Sequence, residues 1–261
     1  GYGAVGAELL IGMLDAVTTR QDAQVLSTSG LRYDTPVEPL TNYFAGRLRR
    51  DFRGGASTVG TMIERTSRAV GDSVFSSLLR SDATFGGVDF EHGMQKRRWI
   101  VSGFLAGSDV RGSPQAIAAT QRTSTHYFQR PDASYLTFDS TRTAMRGYIG
   151  EVALAKQGSL FGSIAYKETS PGLELNDLGQ QNRTDFRALS ILVGRQNYAA
   201  GKHLNSYSAF VYSNDTWNFG GAPIYHGYTG QTNVTFLNLW SASAGAGVSA
   251  KYYSDRLLRG G

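Results

Sequence analysis

The sequence predicts an all-β fold: an antiparallel transmembrane β-barrel, present as an internal section of a larger barrel, with one short helix on a loop. Three observations predict it. Apolar and polar residues alternate with period two over stretches of about ten residues, the length a tilted strand needs to cross a bilayer. Polar, often glycine-bearing turns separate these stretches at short intervals, which makes sequence neighbours antiparallel hairpins rather than parallel α/β units. The composition is rich in glycine (32 of 261 residues) and aromatics (13 Phe, 14 Tyr, 3 Trp), with six prolines and no cysteine. Such a composition suits sheets that bend and carry no disulfides.

The elements follow in order. Candidate strands occupy 7–18, 42–52, 57–66, 82–92, 98–107, 145–155, 159–167, 186–195, 205–214, 232–241 and 242–253. Around 98–107, Arg98 and Ser102 lie on one side, with Trp99, Val101, Gly103 and Leu105 on the other. Around 145–155, Tyr148, Gly150, Val152 and Leu154 oppose Glu151; around 159–167, Leu160, Gly162, Ile164 and Tyr166 oppose Ser163 and Lys167. In 186–195 the pattern is less clean, because Arg187 and Arg195 share a face with Leu189, Ile191 and Val193. Turn signals fall at Arg53-Gly54-Gly55, Gly93 to Lys96, Lys156-Gln157-Gly158 and Ala200-Gly201-Lys202. Two segments break the alternation. Residues 113–129 open with Ser113 as an N-cap and Pro114 at the first helical position, which predicts a helix on a loop or folded into the lumen. Residues 168–185 form a long, turn-rich connection.

A soluble sheet would carry Lys, Glu, Thr and Ser on its outer face. Several strands here place Leu, Val, Phe, Tyr, Trp and Gly on one face and mixed polar residues on the other, as an inside-out barrel requires. Tyr43, Phe44, Phe52, Trp99, Phe104, Trp217 and Trp240 lie near strand ends, where interfacial girdles form. The alternative is a large soluble β-barrel or sandwich whose apolar face is its core, since alternation does not say which side is wet. No apolar run reaches about 18 residues, which excludes a helical span. The net charge of +5 is spread among acidic residues, as in Arg47-Leu48-Arg49-Arg50-Asp51, and only short groups such as Lys96-Arg97-Arg98 are concentrated. That pattern argues against nucleic acid as a partner. A first residue of Gly, with no charged n-region before an apolar core, leads us to expect a mature or internal piece of something longer. The remaining strands are then expected from missing sequence or from a partner chain.

Gly1-Tyr2-Gly3-Ala4-Val5-Gly6 matches a dinucleotide fingerprint but has no preceding strand and no βαβ unit, so no cofactor is expected. Gly71-Asp72-Ser73 resembles the start of a serine esterase block, yet Ser73 reads as part of a turn, and His92, His126, His203 and His226 are scattered. Glu174, Asn176 and Asp177 could hold Ca²⁺ on an external loop, but ordinary turn capping explains them better, and no metal is expected. Asp89 and Glu91 share a strand face, roughly 7 Å apart, and Arg47, Arg49 and Asp51 share another. Charges of both signs on such faces read as an ion-pair ladder or pore lining before a hydrolytic pair. No catalytic residue is assigned.

Several blocks resemble an uncharacterised family of large bacterial outer-membrane proteins, domain of unknown function 5916. They are Asn42-Tyr43-Phe44-Ala45-Gly46-Arg47 with Arg50-Asp51-Phe52, Thr120-Gln121-Arg122 with Tyr127-Phe128-Gln129-Arg130-Pro131-Asp132, and Asp255-Arg256-Leu257-Leu258-Arg259-Gly260-Gly261. The most specific is the loop motif Ser170-Pro171-Gly172-Leu173-Glu174-Leu175-Asn176-Asp177-Leu178-Gly179. The resemblance implies a long barrel in the bacterial outer membrane, usually preceded by a carbohydrate-binding module similar to family nine, which this sequence does not contain. The expected partners are outer-membrane lipid and lipopolysaccharide, and a glycan as ligand. The expected function is a channel or surface-binding scaffold, with a surface glycan-processing hydrolase or a soluble periplasmic β-protein as alternatives.

Overall fold

Alternating apolar residues drive strand formation along nearly the whole chain. The structure, a computed structural model, describes residues 9–71 and 73–257. The elements are β1 (Leu9–Thr18), β2 (Gln21–Leu26), β3 (Arg32–Glu38), β4 (Thr41–Phe52), β5 (Ser57–Arg68), α1 (Ser73–Leu78), β6 (Asp82–Met94), β7 (Trp99–Arg111), α2 (Pro114–Arg122), β8 (Ala144–Lys156), β9 (Leu160–Thr169), β10 (Phe186–Asn197), β11 (Leu204–Trp217), β12 (Pro223–Phe236) and β13 (Ser241–Ser249). Eleven strands form one sheet in the order β1-β4-β5-β6-β7-β8-β9-β10-β11-β12-β13, and β2 pairs with β3 as a separate hairpin. All neighbours pair antiparallel. The sheet does not close on itself: β1 and β13 each have one strand neighbour among the described residues.

The two ends of the sheet differ. At one, hairpins turn within 53–56, 95–98, 157–159, 198–203 and 237–240. Gly54 and Gly55 take the left-handed backbone that the first of these turns requires, and Gln95, Lys96 and Arg97 adopt it without the freedom of glycine. At the other end lie the β2–β3 hairpin, the segment 69–81 with α1, the segment 112–143 with α2, and the connection 170–185. We call the face on which these loops pack the inner face.

Period two sorts the side chains between the faces. Facing inward in register are Thr66 and Ala83, Ala83 and Val110, and Val110 and Met145. Against this end pack Ile117 of α2 and Leu173, both fully buried, with Phe75 of α1 and Phe128. On the outer face Val59, Ile63, Val88, Phe90, Leu105, Val152, Leu154, Ile164, Ile191, Val193 and Val211 remain exposed.

The structure revises several sequence expectations. Alternation marked the sheet strands well, but β2 and β3 were not anticipated, since they are short and largely exposed. The candidates 232–241 and 242–253 are displaced: β12 begins at Pro223, and Leu237, Leu239 and Trp240 form an exposed apolar turn. Two short helices replace the single one, and α2 ends at Arg122 rather than continuing to 129. Ser73 opens α1 instead of sitting in a turn. Tyr43 and Phe104 share faces with Thr66 and Asp89, so they point inward and leave the proposed aromatic girdle. The candidate fingerprint at 1–6, Asp72, and 258–261 of the last block lie outside the described residues.

Candidate functional site

The feature that stands apart from an ordinary sheet is a polar network where the long loops meet the inner face. Its scaffold is local. Ser113 caps α2 through its Oγ, which accepts from Ala116 N at 3.2 Å, and Pro114 follows at the first turn. Gln121 then fixes the returning chain by donating to Asp139 O at 2.9 Å and accepting from Asp139 N at 3.0 Å.

The loop motif enters this network residue by residue. Ser170 extends the β8 ladder: its N donates to Tyr148 O at 2.9 Å, and its Oγ accepts from Tyr148 N at 2.7 Å. Pro171 presents its carbonyl to His126 Nδ1 at 2.9 Å. Gly172 and Gly147 let the loop lie directly on β8, since a Cβ on either would fall closer than 3.0 Å to backbone of the other segment. Glu174 is buried, with His126 Nε2 at 2.9 Å and the backbone N of Asn176 at 2.6 Å. Burial pushes the Glu174 carboxyl upward, but these hydrogen bonds outweigh it and hold the pKa below the ordinary Glu value. Asn176 Oδ1 accepts from Gln181 N at 2.8 Å. Asp177 joins Arg68 of β5 at 2.7 Å and Arg80 after α1, and Arg80 also donates to Thr120 of α2 at 3.0 Å. The carboxylates of Glu174 and Asp177 thus point to different protein partners instead of converging on a cation, and among the described residues no acidic or histidine cluster suits a metal.

A second node lies beside the first. Arg130 pairs with Asp185 at 2.5 Å and Asp255 at 3.0 Å, and Arg183 reaches Asp255 at 2.8 Å. Tyr135 donates to Asp185 at 2.7 Å, and burial followed by that carboxylate pushes its phenol pKa strongly upward, so it stays a donor. The segment after β13 is held here as well: Tyr253 donates to Asp132 at 2.8 Å and Arg256 to Asn182 O at 2.9 Å.

Nearer the short-turn end, the inner face carries the other sequence candidates. Arg47 of β4 reaches over β5 to Asp89 of β6, with bonds of 2.5 and 2.9 Å. Gly60 makes that bridge possible, because a Cβ there would lie closer than 3.0 Å to both partners. Arg49 approaches Asp51 at 3.4 Å, and Asp51 accepts from Thr58 at 2.8 Å. Glu91 is paired with Arg97. Arg49, Asp89 and Glu91 line a cavity of about 240 Å³ with Ser102, Phe104 and Glu151. Asp89 and Glu91 share a face as the sequence indicates, and each carboxylate is paired with an arginine rather than with the other.

Two features escaped the sequence reading. One is an ionic row on the outer face at the long-loop end: Arg65–Asp82 at 2.6 Å, Asp109 with Arg111 at 3.0 Å and Arg146 at 2.8 Å, and Glu168 with Arg187 at 3.1 Å. Tyr148 and Tyr166 donate to Glu168 at 2.9 and 2.6 Å. The other is the contact of Ser57 Oγ with His92 Nδ1 at 2.7 Å. No carboxylate orients that imidazole among the described contacts, so the pair lacks the third member of a hydrolytic triad. His126, His92 and His226 sit apart, on Glu174, Ser57 and Asp215 respectively. His203 lies exposed in the 198–203 turn.

No curated protein and no solved structure matches the chain. Its sequence matches the family described as Domain of unknown function (DUF5916) over residues 3–256, nearly its whole length, and the chain therefore belongs to that family.

Proposed function

We propose that this chain is the wall of a bacterial outer-membrane β-barrel whose interior is occluded at the long-loop end, serving as a gated channel or surface-binding scaffold. The observation that carries the reading is the inversion of its faces. Large aliphatic side chains stay exposed on the outer face, while the polar network and the buried charges lie inside. A soluble sheet would leave that apolar surface in water, and monomers rarely expose patches of such extent. The outer band is bounded on both sides: by the ionic row at the long-loop end, and by Trp99, Tyr198, Leu239 and Trp240 near the short turns. From Trp99 to Gly107 the outward residues of β7 span about 26 Å of strand, or about 20 Å of height at a tilt of about 40°. That approaches the band of about 25 Å in membrane barrels.

Short turns face the periplasm and long loops the exterior in such barrels. The network would thus lie toward the outside, with lipopolysaccharide against the ionic row and membrane lipid below it. The inner cavity is smaller than the roughly 300 Å³ of a typical small-molecule site. It suits one hydroxylated ring at most, which keeps a glycan as the candidate ligand. The arginine-paired carboxylates give the hydrolase alternative no geometric support.

The test is fractionation of the full-length protein from its native membrane. We expect it to resist carbonate extraction and to shift in gel mobility when boiled in mild SDS. Release into the soluble fraction with no heat-dependent shift would overturn the reading and make the exposed aliphatic face a docking surface of a soluble protein.

A further inference from the structure

Beside the buried network, the loops frame a cavity of about 560 Å³, within the usual range of small-molecule sites. It shares no residue with the smaller cavity next to Asp89. The segment between α2 and β8 supplies Phe128, Tyr135, Leu136 and Arg142, β8 supplies Met145, and the loop motif supplies Pro171. Aromatic and apolar side chains thus meet a cation, and no acidic side chain among the described residues lines the space.

Two of these side chains are set up to receive a ligand. Tyr135 is anchored without being covered. Its hydroxyl donates to Asp185 at 2.7 Å and accepts from Arg130 at 3.2 Å, and its ring lies so close to Gly220 that a Cβ there would overlap it. Yet the residue stays 38% exposed. A ring that is already fixed in place offers a stacking surface at little further cost in conformational entropy. Arg142 is the uncommitted cation. Arg146, also at the wall, is drawn to Asp109 at 2.8 Å. The Arg142 side chain is 42% exposed and has one ion contact, to Asp139 at 3.5 Å. The other oxygen of Asp139 already accepts from Thr141 N at 2.9 Å and Thr141 Oγ1 at 2.6 Å. So exposed and long a pair contributes little, and the guanidinium can exchange it for a two-pronged contact with a ligand carboxylate. The geometry points to a binding site for a small ring-bearing carboxylate, whose ring stacks on Tyr135 and whose acid group is held by Arg142. A neutral ring would leave the arginine unused, and a simple anion would leave the aromatic wall unused. A molecule seated here touches both the α2–β8 segment and Pro171, so binding would fasten one long loop to the other. The site does not require the sheet to lie in a membrane, and it stands apart from the barrel reading.

The test is titration of the purified full-length protein by saturation-transfer NMR. The probes are benzoate, benzamide (the same ring without the charge) and acetate (the charge without the ring). We expect benzoate to bind about tenfold or more tightly than either of the others, because each of them forfeits one of the two contacts. Arg142→Gln should weaken benzoate by about tenfold, to the level of benzamide, and Arg142→Lys should restore part of that loss. Arg195→Gln removes an exposed cation outside the cavity and should leave benzoate binding unchanged. No binding of benzoate at millimolar concentration, equal binding of benzamide or acetate, or an Arg142→Gln variant that binds like the wild type would each overturn the assignment.

Discussion

Asp177 shows what single residues do in this protein. Its carboxylate, 5% exposed, ties a loop to Arg68 on β5 and Arg80 after α1, whose side chains are 12% and 20% exposed. Desolvated ion pairs are weak evidence of net stabilisation, but removing one partner strands the others. Asp177→Ala leaves two largely buried guanidiniums without a counter-charge, so we expect a loss of about 3–5 kcal/mol, read by unfolding of the purified full-length protein. A loss below about 1 kcal/mol would show that water reaches the arginines and that the node is ornamental. Asp89 offers a contrast, since it and Arg47 are 33% and 42% exposed and their pair should contribute far less. The sequence made Glu174, Asn176 and Asp177 visible as a motif of turn-forming polar residues. It could not show their partners, because Arg68 lies 109 positions from Asp177 and His126 lies 48 from Glu174. Such pairings are products of topology, and no local pattern encodes them.

At the scale of the element, legibility follows periodicity. Strands β4 to β11 carry alternation that is clean except in β10, and their extents match expectation to within a few residues. The failures have identifiable causes. The start of β12 fell outside the candidate strand 232–241: it holds Pro223, Gly227 and Gly230, yet proline is tolerated at a strand's first residue, and Gly227 makes room for the Tyr225 hydroxyl. Conversely, Leu237-Asn238-Leu239-Trp240 reads as strand because it is apolar, although it forms the turn between β12 and β13. Glycine also sets how one element docks on another. Gly147→Ala places a methyl group inside the backbone of the 172–173 segment. We expect it to lift the loop motif from β8, seen as new proteolytic cleavage within 170–185 while the heat-dependent gel shift is retained. Unchanged protection would mean that the loop can slide without losing its network.

For the whole molecule, the asymmetry between its ends is what the proposed channel role turns on. The apolar packing against the inner face is small, and the loops are held mainly by ion pairs and hydrogen bonds from Arg68, Arg80, His126 and Arg130. Replacing residues 112–143 with a short hairpin turn removes α2, His126 and Arg130 together. We expect steady ion conductance from that variant in planar bilayers, against little or none from the intact protein. Equal conductance from both would show that the loops do not obstruct the interior, and would favour the scaffold role over the channel.

The clamp on Asp255 also carries a consequence for how the protein is built. Arg130 meets Asp185 from 55 positions away, but its other acidic partner, Asp255, comes from 125 positions away, beyond β13. In sequence order, the loop between β7 and β8 comes long before the residue that completes its fastening. Without that residue Arg130 would keep one carboxylate partner, Asp185, and Arg183 would lose its ion pair with Asp255. The long loops therefore depend for their fastening on a residue that lies beyond the last strand of the sheet, so losing the segment after β13 would loosen loops that precede β8 and β10.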